Sequence, residues 1–269
     1  MRLFPVAAGV LASALALAWA SCASAQPAPP PPSPVPEGVR EGAGAANPKG
    51  QYAKLDALPD WGGIWFVTFD RNGPPPAQPK LKGDYAAQWD KWKADLAAHD
   101  GQVTRARSNC SPPGLPRIMQ LAQYPYEFLF TPGRVTINQE AWMQTRTVWT
   151  DGRSHPPLEE LDPTFHGHSI GHWEGDVLVV DTIGISDQLE FGTGARHSDK
   201  FHLVERIHLD PAKPDALVNE MVMDDPEALA EPFTATVRYR RDRYGQVIEF
   251  ECSENDRNPV NEAGETEYR

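Results

Sequence analysis

The chain has 269 residues with 37 acidic against 25 basic side chains, a formal net charge of −12. Nucleic acid and anionic lipid both call for a basic face, so this balance sets both aside as partners. The one basic cluster, Arg238, Arg240, Arg241 and Arg243, alternates along a strand with Tyr239 and reads as a solvated sheet face.

Residues 1–25, MRLFPVAAGVLASALALAWASCASA, have one basic residue, an apolar run and the small-residue ending Ala23-Ser24-Ala25. This is the pattern of an export signal, with cleavage expected before Gln26 and a periplasmic or secreted product. Lipid attachment at Cys22 is the alternative, which Trp19 fits poorly. After cleavage no span remains for membrane insertion. Residues 26–50 begin with seven prolines in eleven positions and continue with small and polar residues, an extended linker that cannot form a core. Residues 51–258 suffice for one domain, and 259–269 form a polar tail. Cys110 and Cys252 are left as an even pair in an oxidising compartment. That favours a disulfide over two separate buried thiols.

Within the domain, helix signals are scarce. The spacing of Tyr85, Trp89, Trp92 and Leu96 predicts one amphipathic helix over 84–101, capped by Asp84, with its tryptophans packed on the domain. Elsewhere the period is two: strand character runs through 61–70, 126–131, 134–150, 176–185, 200–209, 216–223, 233–241 and 246–254. Turn chemistry joins them, as at Pro132-Gly133, Asp151-Gly152 and Tyr244-Gly245. Short connections and one helix imply an all-β fold, an antiparallel sheet closed or nearly closed into a barrel, with a β-sandwich as the alternative. A barrel of this size can hold one small ligand.

The stretches Gly63-Ile64-Trp65, CSPPGLPR (110–117), TPGRV (131–135), TDGRSHP (150–156), GHSIGHWEGDVLVVDT (167–182) and ECSEN (251–255) resemble, in order, a widespread family of exported bacterial proteins with a GxW start. The resemblance implies export, places His168 in a recurring motif, and brings no reaction with it. The GxW opening before a meander of strands is also similar to lipocalins and other calycin-like barrels, a likeness of fold only.

Gly167-His168-Ser169-Ile170-Gly171 matches the G-x-S-x-G nucleophile elbow. An elbow needs a strand before the serine and a helix after it. Here a proline-rich acidic stretch precedes, and a tight turn and a strand follow, so the glycines read better as a strand start and close backbone packing. A metal site built on His166, His168 and His172 is a further alternative. On a strand the three share a face, but the outer two lie about 20 Å apart and cannot close on one ion without a bend.

Ionisable groups on apolar strand faces are the better candidates. Glu205 stands in the row Phe201, Leu203, Ile207 and Leu209, and Asp181 in the row Val177, Val179 and Ile183. Each either pairs with a cation, such as Arg153 or Arg117, or has its proton affinity raised for acid–base work. The loop after Trp149 adds Asp151, Arg153 and His155 at a barrel mouth. No phosphate loop or heme motif is present, so no cofactor is expected. The reading is a cofactor-independent lyase, isomerase or cyclase acting on a small hydrophobic or aromatic molecule. Glu205 or Asp181 would move the proton, His168 or His155 relay it, Arg153 hold negative charge, and Trp65, Trp149, Trp173 and Tyr239 line the pocket. A small-molecule carrier or sensor and a metal-dependent hydrolase are the alternatives.

Overall fold

The computed structural model describes residues 52–69, 77–99, 111–190 and 194–251. The segments expected to be leader, linker and tail, together with Cys110 and Cys252, lie outside the described residues. The alternating segments form nine strands: β1 (Ile64–Thr68), β2 (Tyr126–Thr131), β3 (Arg134–Gln139), β4 (Gln144–Trp149), β5 (His168–Glu174), β6 (Val177–Ile183), β7 (His202–Asp210), β8 (Lys213–Asp224) and β9 (Phe233–Asp242). Each pairs with the next, and β9 returns to β1, so the sheet is a closed barrel rather than a sandwich. Closure satisfies the backbone groups that an open sheet would leave at its edges.

One pair departs from the expected antiparallel order. β4 and β5 run parallel and meet only at Val148 with Ser169 and Trp149 with Ile170. A parallel pair needs a crossover, which residues 150–167 supply. On one side of these two rungs β4 and the approach to β5 diverge, and a groove opens between them.

Two expectations about elements are corrected. The apolar run 134–150 is not one strand but a hairpin, reversed at Trp142 and Met143, whose φ angles of 54° and 49° are left-handed. Residues 246–251 are not a strand either: β9 already pairs with β1, which leaves no edge for a tenth. They dock instead on the β3–β4 turn, where the Ile248 N–H donates to Glu140 Oε2 at 3.0 Å and the Phe250 ring packs on Tyr124. The predicted helix forms as α1 (Gly83–Ala98), with Lys82 at its N-cap and Asp84 in its first turn, where a negative charge suits the helix dipole. Trp89 packs against the core, and Trp92 lies over Gly194, where a Cβ would stand 2.2 Å from the indole.

Inward side chains fill the barrel. Trp65, Ile137, Leu178, Leu203 and Ile207 have no accessible surface, and Trp65 is roofed by the Arg241 guanidinium at 4.6 Å. Arg241 is therefore buried rather than part of a solvated basic face, and it donates to the main-chain oxygens of Asp60 and Pro214. Tyr126 and Tyr239 meet edge to face, their hydroxyls donating to the Ile118 and Met119 carbonyls of a 3-10 turn at Arg117–Gln120.

Among these apolar groups lies one ion pair. Arg146 on β4 donates through Nη2 to Glu205 Oε2 on β7, and neither side chain has accessible surface. Arg146 also donates to Ser169 Oγ on β5 at 3.2 Å and to Thr182 Oγ1 on β6 at 3.0 Å, and Asn219 on β8 donates to Glu205 Oε1 at 2.8 Å. The cation that answers Glu205 is thus Arg146, not Arg153 or Arg117. Glu205→Gln leaves that guanidinium buried and uncompensated, and is expected to cost about 3–5 kcal/mol of stability in urea denaturation. Replacing both partners with aliphatic residues should recover most of the loss; a single variant as stable as the parent would remove the ion pair from this role.

Candidate functional site

The alternation that puts Leu178, Val180 and Thr182 of β6 inside puts Asp181 outside. Asp181 does share a face with Val177, Val179 and Ile183, but that face is the outer wall of the barrel, which corrects the expectation that this acid faces a lumen. Register then supplies its neighbours. Ile170 and Val204 stand opposite Asp181 on the two flanking strands, so His168 on β5 and His202 on β7 are its diagonal neighbours on the same face. The crossover loop brings His155 between them.

The result is a chain of hydrogen bonds on the outer wall. His155 Nε2 lies 3.0 Å from Asp181 Oδ1, His202 Nε2 lies 2.8 Å from the same oxygen, and His155 Nδ1 lies 2.8 Å from His168 Nδ1. Protons can be placed in it consistently. The carboxylate accepts N–H from both Nε2 atoms, which leaves His155 Nδ1 as an acceptor for the Nδ1–H of His168. His168 then keeps a lone pair on Nε2.

The charges are graded along the chain. Hydrogen bonds from His202 and then His155 hold Asp181 below the usual carboxylate range against the opposing effect of burial. The Asp181 carboxylate raises His202. Burial, then His155 and Arg153, lowers His168, so that it is neutral near pH 7. His155 is more enclosed than Asp181 or His202, 15% exposed against about 40% for each of them.

The groove beside this chain has a volume of about 310 Å³ and is lined by Gln144, Thr147, Trp149, Phe165, His166 and His168, among others. Arg153 lies over the Trp149 ring at 3.8 Å and is bound to Asp151, with Nη2 to Oδ2 at 2.6 Å. His166 sits at the floor, bonded to the main chain of Thr145; burial, and then the charge of Arg146, push its pKa down to about 4.

Of the predicted site residues, the structure brings His155, His168 and Asp181 into one hydrogen-bonded chain with Arg153 and Trp149 beside it. Glu205 is not with them: it is sealed in the core with Arg146. Trp65 and Tyr239 are packed core residues rather than pocket lining, and Trp173 belongs to an inner aromatic cluster with Trp61 and Phe130. His202 was not singled out from sequence. Its signal lay in the β6–β7 register, which the long connection between those strands conceals.

The three-histidine alternative does not assemble. Gly167, at φ +60°, breaks the parity, turning His166 toward the floor of the groove while His168 and His172 stay on the outer wall. His172 pairs with Glu174 at 3.2 Å and is largely exposed. Among the described residues, no group of three or more His, Cys, Asp and Glu side chains is arranged to hold a metal ion.

Ser169 faces inward, 2% exposed, beneath Arg146, and β5 leads into a turn and β6 rather than a helix. The flanking glycines serve close packing. A Cβ at Gly167 would stand 2.4 Å from the Ile183 carbonyl, and one at Gly171 would stand 2.8 Å from Val148. Ser169 is expected to be inert to serine-directed fluorophosphonates, as read by mass spectrometry of the treated protein; a labelled Ser169 would revive the elbow.

No protein-family model matches the chain, and no curated protein matches it. Fold and site therefore define it by class: a closed nine-stranded barrel with an imidazole–carboxylate chain on its outer wall.

The titrations have opposite signs. His166 is held neutral, so stability is full above the ordinary imidazole value of 6.5 and declines as pH falls toward about 4, where only the unfolded chain takes the proton. The decline attributable to His166 is about 3 kcal/mol at most. The His202 contribution is present below 6.5 and is lost as pH rises through its raised folded value, while that of Asp181 is present above 3.8 and is lost as pH falls through its lowered one. His166→Gln should therefore flatten the acid limb of a stability–pH curve between pH 6.5 and 4; an unchanged limb would mean that His166 titrates normally.

Proposed function

We propose that this protein is an exported enzyme that transforms a small molecule in the outer-wall groove by acid–base chemistry, with His168 as the base. The leader-like residues 1–25 and the resemblance to exported proteins support the location. One observation carries the chemistry: the chain His168 Nδ1, His155 Nδ1, His155 Nε2, Asp181 Oδ1, with separations of 2.8 and 3.0 Å. A neutral imidazole next to a groove becomes an effective base when the charge it gains can be shared with groups behind it.

The steps follow from the tautomers. His168 Nε2 takes a proton from the bound molecule, the new imidazolium presses its Nδ1 proton toward His155, and Asp181 stabilises the cation on His155. Returning the proton to another carbon of the molecule completes an isomerisation; returning it to a departing group, whose bond to the molecule breaks as the new double bond forms, completes an elimination. His202 fixes the carboxylate from its far side. Glu205 takes no part in proton transfer in this scheme; with Arg146 it holds the wall on which the groove is built.

Mature protein incubated with host-cell extract should convert at least one compound, detected by mass spectrometry. His168→Gln should abolish the conversion, and Asp181→Asn should slow it by about 10²–10⁴-fold. The rate is expected to rise with pH through a midpoint below the ordinary imidazole value, because His168 is lowered. Undiminished conversion by folded His168→Gln protein would overturn the assignment, and a compound retained unchanged would favour the carrier.

A further inference from the structure

In a chain of net charge −12, none of the groove's lining side chains is acidic. Two guanidinium groups stand behind lining residues without lining the groove themselves: Arg153 over the Trp149 ring at 3.8 Å, and Arg146, sealed on the inner face, on Ser169 Oγ at 3.2 Å. Each is ion-paired, Arg153 with Asp151 and Arg146 with Glu205, and of the two Arg153 is the one with solvent-exposed surface. Neutral donors are at hand in the Thr147 hydroxyl and the Gln144 amide, which spends one N–H on the Trp142 carbonyl and keeps the other. Trp149 and Phe165 supply apolar surface.

We propose that the groove takes a small organic carboxylate, its charge met by Thr147, Gln144 and the nearby Arg153, its body laid against Trp149 and Phe165. This rests on reading the groove as the substrate site, and adds a substrate class to that reading. Burial lowers both groove imidazoles first, and a positive field adds to it, from Arg146 at His166 and, after His155, from Arg153 at His168. An anion bound there opposes that field and makes His168 the stronger base only when the molecule is present.

The test is binding, read without turnover. Sodium benzoate and its neutral counterpart benzamide are titrated into the mature protein, followed by calorimetry and by the His168 ring resonances. Benzoate should bind about tenfold or more tighter at low ionic strength, the gap narrowing as salt is added, and should move the His168 midpoint upward. Arg153→Gln should weaken benzoate several-fold and leave benzamide unchanged. Equal affinities, a gap insensitive to salt, or no response of His168 to either compound would overturn the proposal. His168→Gln separates the two readings: it should keep the benzoate preference while losing conversion of the natural compound. A preference that survives alongside undiminished conversion sinks the base and spares the carboxylate site.

Discussion

One buried ion pair, Arg146 with Glu205, ties four consecutive strands of the barrel together from within. The seam between β4 and β5 has two rungs, as does the one between β1 and β2, but it alone is parallel. Arg146 spans it from within, reaching Ser169 on β5, Thr182 on β6 and Glu205 on β7 with one guanidinium. Such a pair costs much to desolvate, and its value lies in fixing which strands face each other as much as in net stability.

That seam is also where the chemistry gathers. Because β4 and β5 are parallel, the chain must cross from the end of one to the start of the other, and the crossover carries Arg153 and His155 onto the outer wall. Because the rungs are few, the strands diverge and leave the groove. The inner face of the seam is thus a buried polar cluster, in which Arg146 Nη1 and Asn219 Oδ1 lack hydrogen-bond partners among the described residues, and the outer face carries the imidazoles, separated from it by the thickness of one sheet. His166 lies at the boundary, bonded to Thr145 of β4, its pKa lowered by burial and then by the charge of Arg146.

Much of this was legible in the chain itself. Alternation in KFHLVERIHL put Glu205 with apolar neighbours, and it is indeed buried; the same argument put Asp181 among aliphatics, and that too is correct. What alternation cannot supply is which of two faces is the inner one when both carry aliphatic residues. The outer row Val177, Val179 and Ile183 resembles an inner row because loop and crossover residues cover part of the wall. The absent strand at 246–251 has a comparable cause: its residues have strand character, but β1 had already taken the last free edge.

The sequence by itself determined the all-β class, the single amphipathic helix and the failure of the G-x-S-x-G pattern as an elbow, because each follows from local periodicity and from the residues immediately flanking a motif. Only the tertiary structure decided that Arg146 answers Glu205, that His202 joins Asp181, and that the imidazoles stand outside the barrel. Those are consequences of register between strands distant in the chain, and register is fixed by the packing of the whole closed sheet rather than by any segment within it.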